Sequence, residues 1–209
     1  MENNGKGIFY GVIGVATLIV AIIGATFAFF TATANNTSTI QGNAATVSLG
    51  LSVTKVSNGN KGLVPQLEET LSAAMKGKDN TANSGNDMCI DGNDNTVCQV
   101  YKITVNNTGT GDAILKGTLD LNKGSITNLK WALVNGDTIE TAPAIEGSAK
   151  EDNVIVESVT VGGSGTEDYY VIIWIDETTA PQGDTGSFTG TVTFNNAGGG
   201  EGVTSTFVS

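Results

Sequence analysis

The chain of 209 residues contains no histidine and no arginine, and all its cationic side chains are lysines, ten in number. Without histidine there is no Ser-His-Asp triad, no Cys-His dyad and no HExxH zinc site. Without arginine no guanidinium fork can grip a phosphate or a guanine edge. Twenty-one acids against those lysines give a formal charge of −11. Such a chain has no counterion-release route to nucleic acid, so no nucleic-acid partner is expected. Proline is scarce, at 3 residues, and charged residues make up only 15%. That is too little charge for a long solvated helix or an acidic disordered tail.

What is abundant points to β-structure. The sequence holds 28 Thr, 28 Gly and 20 Asn. Threonine is β-branched and suits half-exposed strands, while Gly and Asn supply the turns between them. Much of the hydrophobicity is concentrated in one run, Ile8 to Phe30, which is 23 residues without a charge. As a helix it would span about 34 Å, enough to cross a bilayer core of about 30 Å. Lys6 and the α-amine against Glu2 make the preceding stretch weakly positive, which places the start in the cytoplasm and everything after residue 30 outside.

Three fates compete for this run. Small residues near its end, at Thr26-Phe27-Ala28 and Ala32-Thr33-Ala34, suit cleavage by a signal peptidase. Its length suits a permanent membrane anchor. A retained pilin-like helix is the third, although the early glutamate of a type IV pilin is missing.

The run Gly24-Ala25-Thr26-Phe27-Ala28-Phe29-Phe30-Thr31 resembles the export signal of the TasA/camelysin family of Gram-positive bacteria. In that family a dedicated peptidase, SipW, cuts within a G-(G/A)-T-(W/F)-A-(A/F/Y)-F motif. The resemblance implies a cut between Ala28 and Phe29, so that the precursor is membrane-inserted and the product is secreted. The block Cys98 to Gly109 (CQVYKITVNNTG) is similar to the strand-then-turn block of such secreted β-proteins. Family members build fibres in which each subunit's N-terminal strand completes its neighbour. The implied donor strand here lies within residues 29–44, with Phe29, Phe30 and Ile40 filling the next copy. Camelysin-like proteins are sometimes classed as metallopeptidases, but this chain has no histidine to serve such a metal.

The chain thus divides into a signal or membrane segment (1–28), a donor segment (29–44) and a β-domain (45–209) with a helical and loop insertion at 63–96. Val47, Leu49, Leu51 and Val53 alternate as one face of a half-buried strand. Val64, Leu67, Leu71 and Met75 instead recur at helical steps, predicting an amphipathic helix within 63–77 packed on a sheet edge. Strands are predicted at 97–105, 113–121, 129–134, 153–161, 169–175, 187–194 and 203–208. Asn135-Gly136 reads as a type I′ hairpin turn with 138–141 returning. Tyr169-Tyr170-Val171-Ile172-Ile173-Trp174-Ile175 is the most apolar run after residue 30 and predicts a central strand. The expected fold is all-β with a short helix. It is an antiparallel two-sheet sandwich or jelly roll of about eight strands behind an N-terminal hydrophobic helix.

Few residues offer chemistry. Cys89 and Cys98, the only cysteines, flank a short turn and in an exported chain predict a disulfide-clipped hairpin. Asp91-x-Asn93-x-Asn95 has the first half of an EF-hand loop, but Thr96 and Lys102 stand where Gly and Glu are required. No cofactor is expected; two cysteines without a histidine are too few for a soft-metal site, which leaves calcium at some other grouping of acids and amides as the alternative. Glu167-Asp168 and Asp176-Glu177 flank the predicted central strand as carboxylate pairs that could act across a cleft, or as charged gatekeepers. No phosphate loop and no G-x-S-x-G is present. The C-terminus Thr206-Phe207-Val208-Ser209 shows no Leu-Pro-x-Thr-Gly, so a cut chain is expected to be free or held by partners.

The expectation is a non-enzymatic, self-assembling extracellular fibre subunit of the biofilm or cell surface, whose partners are itself and a SipW-type peptidase. The alternative is a membrane-anchored or pilin-like surface protein or binding module that keeps the hydrophobic helix.

Overall fold

The computed structural model describes residues 45–59, 61–76, 85–139, 142–177, 187–197 and 202–209. Its strands are β1 (Leu49–Lys55), β2 (Gln99–Asn107), β3 (Ala113–Asn122), β4 (Leu129–Val134), β5 (Val154–Val161), β6 (Thr166–Ile175), β7 (Thr189–Asn196) and β8 (Val203–Val208). Among the described residues one α-helix, α1 (Glu68–Ala74), lies between β1 and β2. The strands form two four-stranded antiparallel sheets, in the orders β1-β2-β6-β4 and β5-β3-β7-β8. Every connection from β2 through β7 crosses from one sheet to the other. The predicted all-β sandwich is the fold of this chain.

Alternation explains the main core. Tyr101, Ile103 and Val105 of β2 and Val171, Ile173 and Ile175 of β6 point to the opposite sheet. There they meet Leu115 and Leu119 of β3, Val192 and Phe194 of β7, and Phe207 of β8. The outer face of the β5-β3-β7-β8 sheet shows where the threonines go. Thr118, Thr193 and Thr204 lie in one rank across three strands, with the Thr193 and Thr204 hydroxyl oxygens 3.2 Å apart. A β-branched side chain with a hydroxyl fits a pleated surface that faces water.

The β1-β2-β6-β4 sheet is covered on its outer face as well along part of β2, β6 and β4, whereas Ser52 and Thr54 of β1 are exposed there. The other parity of its strands (Val100, Ala132, Val134, Ile172 and Trp174) forms a second core with Leu71 and Met75, Cys89, Cys98 and Ile139. This is why the 169–175 run is apolar without alternation: β6 sits inside the sheet and between two apolar layers.

Two local expectations are corrected. The helix runs only over Glu68–Ala74 and covers the outer face of its sheet, not a sheet edge. Pro65 disfavours helical geometry at Val64, Leu67 is extended at φ −71° and ψ 136°, and Leu63 and Gln66 make β-bridges to Thr96 and Asp176. The hairpin at Asn135-Gly136 does not form. Asn135 has a φ of −56°, not the positive value that a type I′ turn requires, and Gly136–Thr138 is a 3-10 turn. The partner of Val134 is instead Ile145, through an isolated antiparallel bridge.

Candidate functional site

A sandwich of two open sheets has four edge strands, and each exposes a row of backbone donors and acceptors unless something covers it. Here the edges are β1 and β4 in one sheet, β5 and β8 in the other. The β4 edge is covered. The N–H of Glu146 donates to the Leu133 carbonyl (2.8 Å), that of Lys150 to Trp131 (2.8 Å), and that of Asn135 to Ala144 (3.0 Å). The β5 edge is guarded in another way. Its pairing with β3 carries register shifts on both sides of Gly117, and Glu157 stands mid-strand with Lys116 at 2.7 Å. Bulges and charges are devices that discourage further pairing.

Among the described residues neither device protects β1 or β8, which lie beside one another along one flank of the sandwich. Val203–Val208 contains no charge and no proline, and β1 carries only Lys55 at its end. Ladder parity fixes which groups are free. The Ser209 N–H donates to Phe188 O at 3.1 Å, so in an antiparallel ladder Phe207 and Ser205 also bond inward, and Thr204, Thr206 and Val208 present their backbone outward. The same reasoning from Val56 N–H on Val100 O (2.9 Å) leaves the outward row of β1 to Leu49, Leu51 and Val53. Those three side chains are only partly buried against the core. Among the described residues, this flank is the one place where apolar side chains and unguarded strand edges coincide.

The fates of the sequence-predicted residues differ. Ala28, Phe29, Phe30 and Ile40 lie outside the described residues. So does the 8–30 run; among the described residues no helix is long and apolar enough to cross a membrane. Cys89 and Cys98 are bonded, and both are fully buried in the second core. The disulfide closes a loop in which Ile90 bridges Thr96 and the Val97 N–H donates to Cys89 O (2.9 Å). Because the Cys89 N–H also donates to Ala74 O (2.7 Å), the bond staples the helical insertion to the root of β2.

The Asp91 loop is occupied by its own donors. One Asp91 oxygen accepts the Asn93 and Asn95 N–H groups (2.9 and 2.8 Å), the other accepts Asn95 Nδ2 (3.0 Å), and Asp94 pairs with Lys61. Burial raises the Asp91 pKa, but the Asn95 and Asn93 hydrogen bonds and the Lys61 charge outweigh it and hold the carboxyl below its ordinary value. Among the described residues no group of three or more His, Cys, Asp or Glu is placed to hold a metal.

The carboxylate pairs stand at opposite ends of β6. Asp168 and Asp176 are eight residues apart on an extended chain, about 26 Å, where paired catalytic carboxyls need roughly 5–10 Å. Each has a structural partner instead. Asp168 accepts from the Thr104 hydroxyl (2.6 Å) and pairs with Lys102 (2.9 Å); Asp176, nearly buried, pairs with Lys130 (2.8 Å).

Reasoning from sequence missed Asn107, which is 1% exposed. Its carbonyl accepts N–H groups from Ser48 and Gly109, and its Nδ2 faces the carbonyls of Gly111, Val161 and Gly162. This one side chain ties the approach to β1, the β2–β3 turn and the β5–β6 turn together. The only hint in the sequence is an amide at a strand end two residues before a glycine.

No protein-family model matches the chain, and no curated protein does. Solved structures with some likeness include a FixG-related protein from Vibrio parahaemolyticus (10% identity, TM-score 0.36, covering 77% of this chain and 93% of that one). A family 123 glycoside hydrolase from Clostridium perfringens shares 14% identity at a TM-score of 0.36, covering 77% of this chain and 27% of that one. The sporulation control protein Spo0M from Bacillus subtilis shares 7% identity at a TM-score of 0.34, covering 78% and 47%. Likeness at this level carries no argument about function. The TasA/camelysin resemblance rests on the residues quoted for it.

Proposed function

We propose that this chain is a non-enzymatic structural subunit, exported and then polymerised into cell-surface or biofilm fibres. In this reading residues 29–44, freed by cleavage after Ala28, add as a strand to the β1/β8 flank of the next copy. The observation that carries the reading is the contrast among the four edges: among the described residues β4 is covered and β5 is guarded, while nothing covers β1 or β8, which are adjacent. Strand addition to such an edge gains main-chain hydrogen bonds, and alternate side chains set its register. Two features support export. One is the G-A-T-F-A-F-F run at 24–30, and the other is the Cys89–Cys98 bond, a cross-link typical of oxidising compartments.

The anchored binding-module alternative would want a face of exposed aromatic side chains. Tyr101, Trp131 and Trp174 are buried, and Tyr169 and Tyr170 are half-buried, so the described residues offer no such face.

The test uses the full precursor expressed with a SipW-type peptidase, and compares wild type, deletion of 31–40, which leaves the 24–30 motif intact, and Thr206→Pro. The proline removes an outward N–H and no ladder bond, a position where edge strands tolerate it. Wild type is expected to start at Phe29 by intact mass and to sediment as fibres visible by electron microscopy. Both variants are expected to be secreted as folded monomers. Fibres that persist after the deletion would refute strand donation, and a wild type that stays monomeric at every concentration would refute the fibre function.

A further inference from the structure

At one end of the β1/β8 flank lies a cavity of about 310 Å³ that no feature of the sequence advertises. Lys55 at the end of β1, Gln99 at the start of β2, Phe188 before β7 and Ser209 after β8 line it, together with Lys61 and Leu63. Its chemistry is opposite to that of the chain as a whole. In a protein of net charge −11, two lysine side chains line one concavity, and Lys61 is paired with Asp94 while Lys55 is not.

Lys55 is the informative member. Its Nζ donates to the Gly59 carbonyl at 2.6 Å, and among the described residues no carboxylate lies within ion-pair distance of it. Lys61, Lys102, Lys116 and Lys130, by contrast, are each paired with an acid. Burial lowers the Lys55 pKa, the mark of an ammonium group that has lost water without gaining a counter-charge. A bound anion would restore that balance.

Gln99 supplies a second, independent feature. It is 3% exposed, and its Oε1 accepts the Tyr101 hydroxyl at 2.6 Å. The pKa of that phenol is pushed up to about 12 by burial, so it is protonated and donates. With the oxygen thus committed, the carboxamide has N–H donors to offer to the cavity it lines. A buried side chain with donors to spare, an ammonium without a counter-ion, and apolar walls from Leu63 and Phe188 together fit a planar carboxylate on a short aliphatic stem.

We propose that this cavity is a carboxylate-binding site, and that its ligand is an Asp or Glu side chain on an acidic peptide segment. The peptide source is favoured over a free acid by position, because the cavity terminates the flank where β1 and β8 leave their backbone groups unpaired. A segment lying along that edge would place a side chain in it. The inference does not rest on strand donation by residues 29–44, which contain no Asp or Glu; an acidic segment of a partner protein supplies the side chain.

The test is an amide-shift titration of the ¹⁵N-labelled full chain with N-acetyl-glutamate N-methylamide, read at Leu63, Gln99 and Ser209. Parallel titrations use the neutral glutamine analogue and glucuronate. Saturable shifts are expected with the glutamate probe, weakening as salt rises, and none with the glutamine analogue. Lys55→Met keeps the aliphatic stem and is expected to weaken binding at least tenfold, with an unchanged thermal midpoint showing that the fold is intact. Lys61→Met, at a more exposed position, is expected to weaken it less and serves if Lys55→Met does not fold. Equal binding of the glutamine analogue would overturn charge recognition, unaltered binding by both lysine variants would overturn the site, and tighter binding of glucuronate would overturn the peptide source.

Discussion

Asn107→Ala is expected to be among the most damaging single substitutions to a polar residue in this domain. The wild-type amide accepts from Ser48 N–H (3.3 Å) and Gly109 N–H (3.0 Å) and offers Nδ2 to Gly111 O (2.6 Å), Val161 O (3.2 Å) and Gly162 O (3.3 Å). Two hydrogens serve three acceptors, so four bonds is the realistic ceiling. Each is worth about 1 kcal/mol net, and a buried group left without a partner costs about 1–3 kcal/mol. Water reaches some of the vacated groups, because Thr108 and Thr110 beside them are exposed. The expected loss is therefore about 3 kcal/mol, less than a simple sum. Asn107→Asp isolates the donor side: it keeps both accepted bonds but turns an acceptor toward three carbonyls, and is expected to cost at least as much. Equilibrium urea unfolding provides the assay, followed by fluorescence of Trp131 and Trp174, which are 6% and 0% exposed. A loss below about 1 kcal/mol at unchanged m-value would show that the three loops hold together without this side chain.

Replacing Cys89 and Cys98 together by Ser removes a cross-link with a sequence separation of 9, and is expected to lower stability by about 2.5 kcal/mol in the same assay. At Gly190 an added Cβ would meet Phe207 at 2.1 Å, and that ring is already packed on Tyr101 with centroids 4.1 Å apart; Gly190→Ala is expected to cost about 1–3 kcal/mol, and a neutral result would mean the ring can retreat. For Asp168, burial pushes the pKa up, but the Thr104 and Lys102 hydrogen bonds prevail and hold it below the ordinary 3.8. The stability this group adds is thus fully present above that value and is lost as pH falls through the lower, folded-state pKa. Asp168→Asn is expected to flatten the acid limb of the stability–pH curve, and an unchanged limb would refute the assignment.

The comparison of sequence with structure divides along a physical line. Patterns with a fixed local period were legible: alternation at Leu49, Leu51 and Val53 and at Phe188, Val192 and Phe194 follows from the two-residue repeat of a strand, and β8 was read with its observed ends, although Val47, read on the first of these faces, lies before β1 and is exposed. Cys89 and Cys98 were legible because chain proximity alone brings them together. The sequence also excluded whole chemistries through the residues it lacks. Tertiary structure decided the rest. The Asn135-Gly136 signal lost because the β4 edge is satisfied by residues 144–150 instead of a returning strand. The helix stripe settled on a sheet face because β6 needed a second apolar layer. Which described edges lack a cover, what surrounds Asn107, and how Lys55 and Gln99 come to share a cavity depend on bringing together residues up to 154 positions apart along the chain. Local propensity carries no information about such contacts.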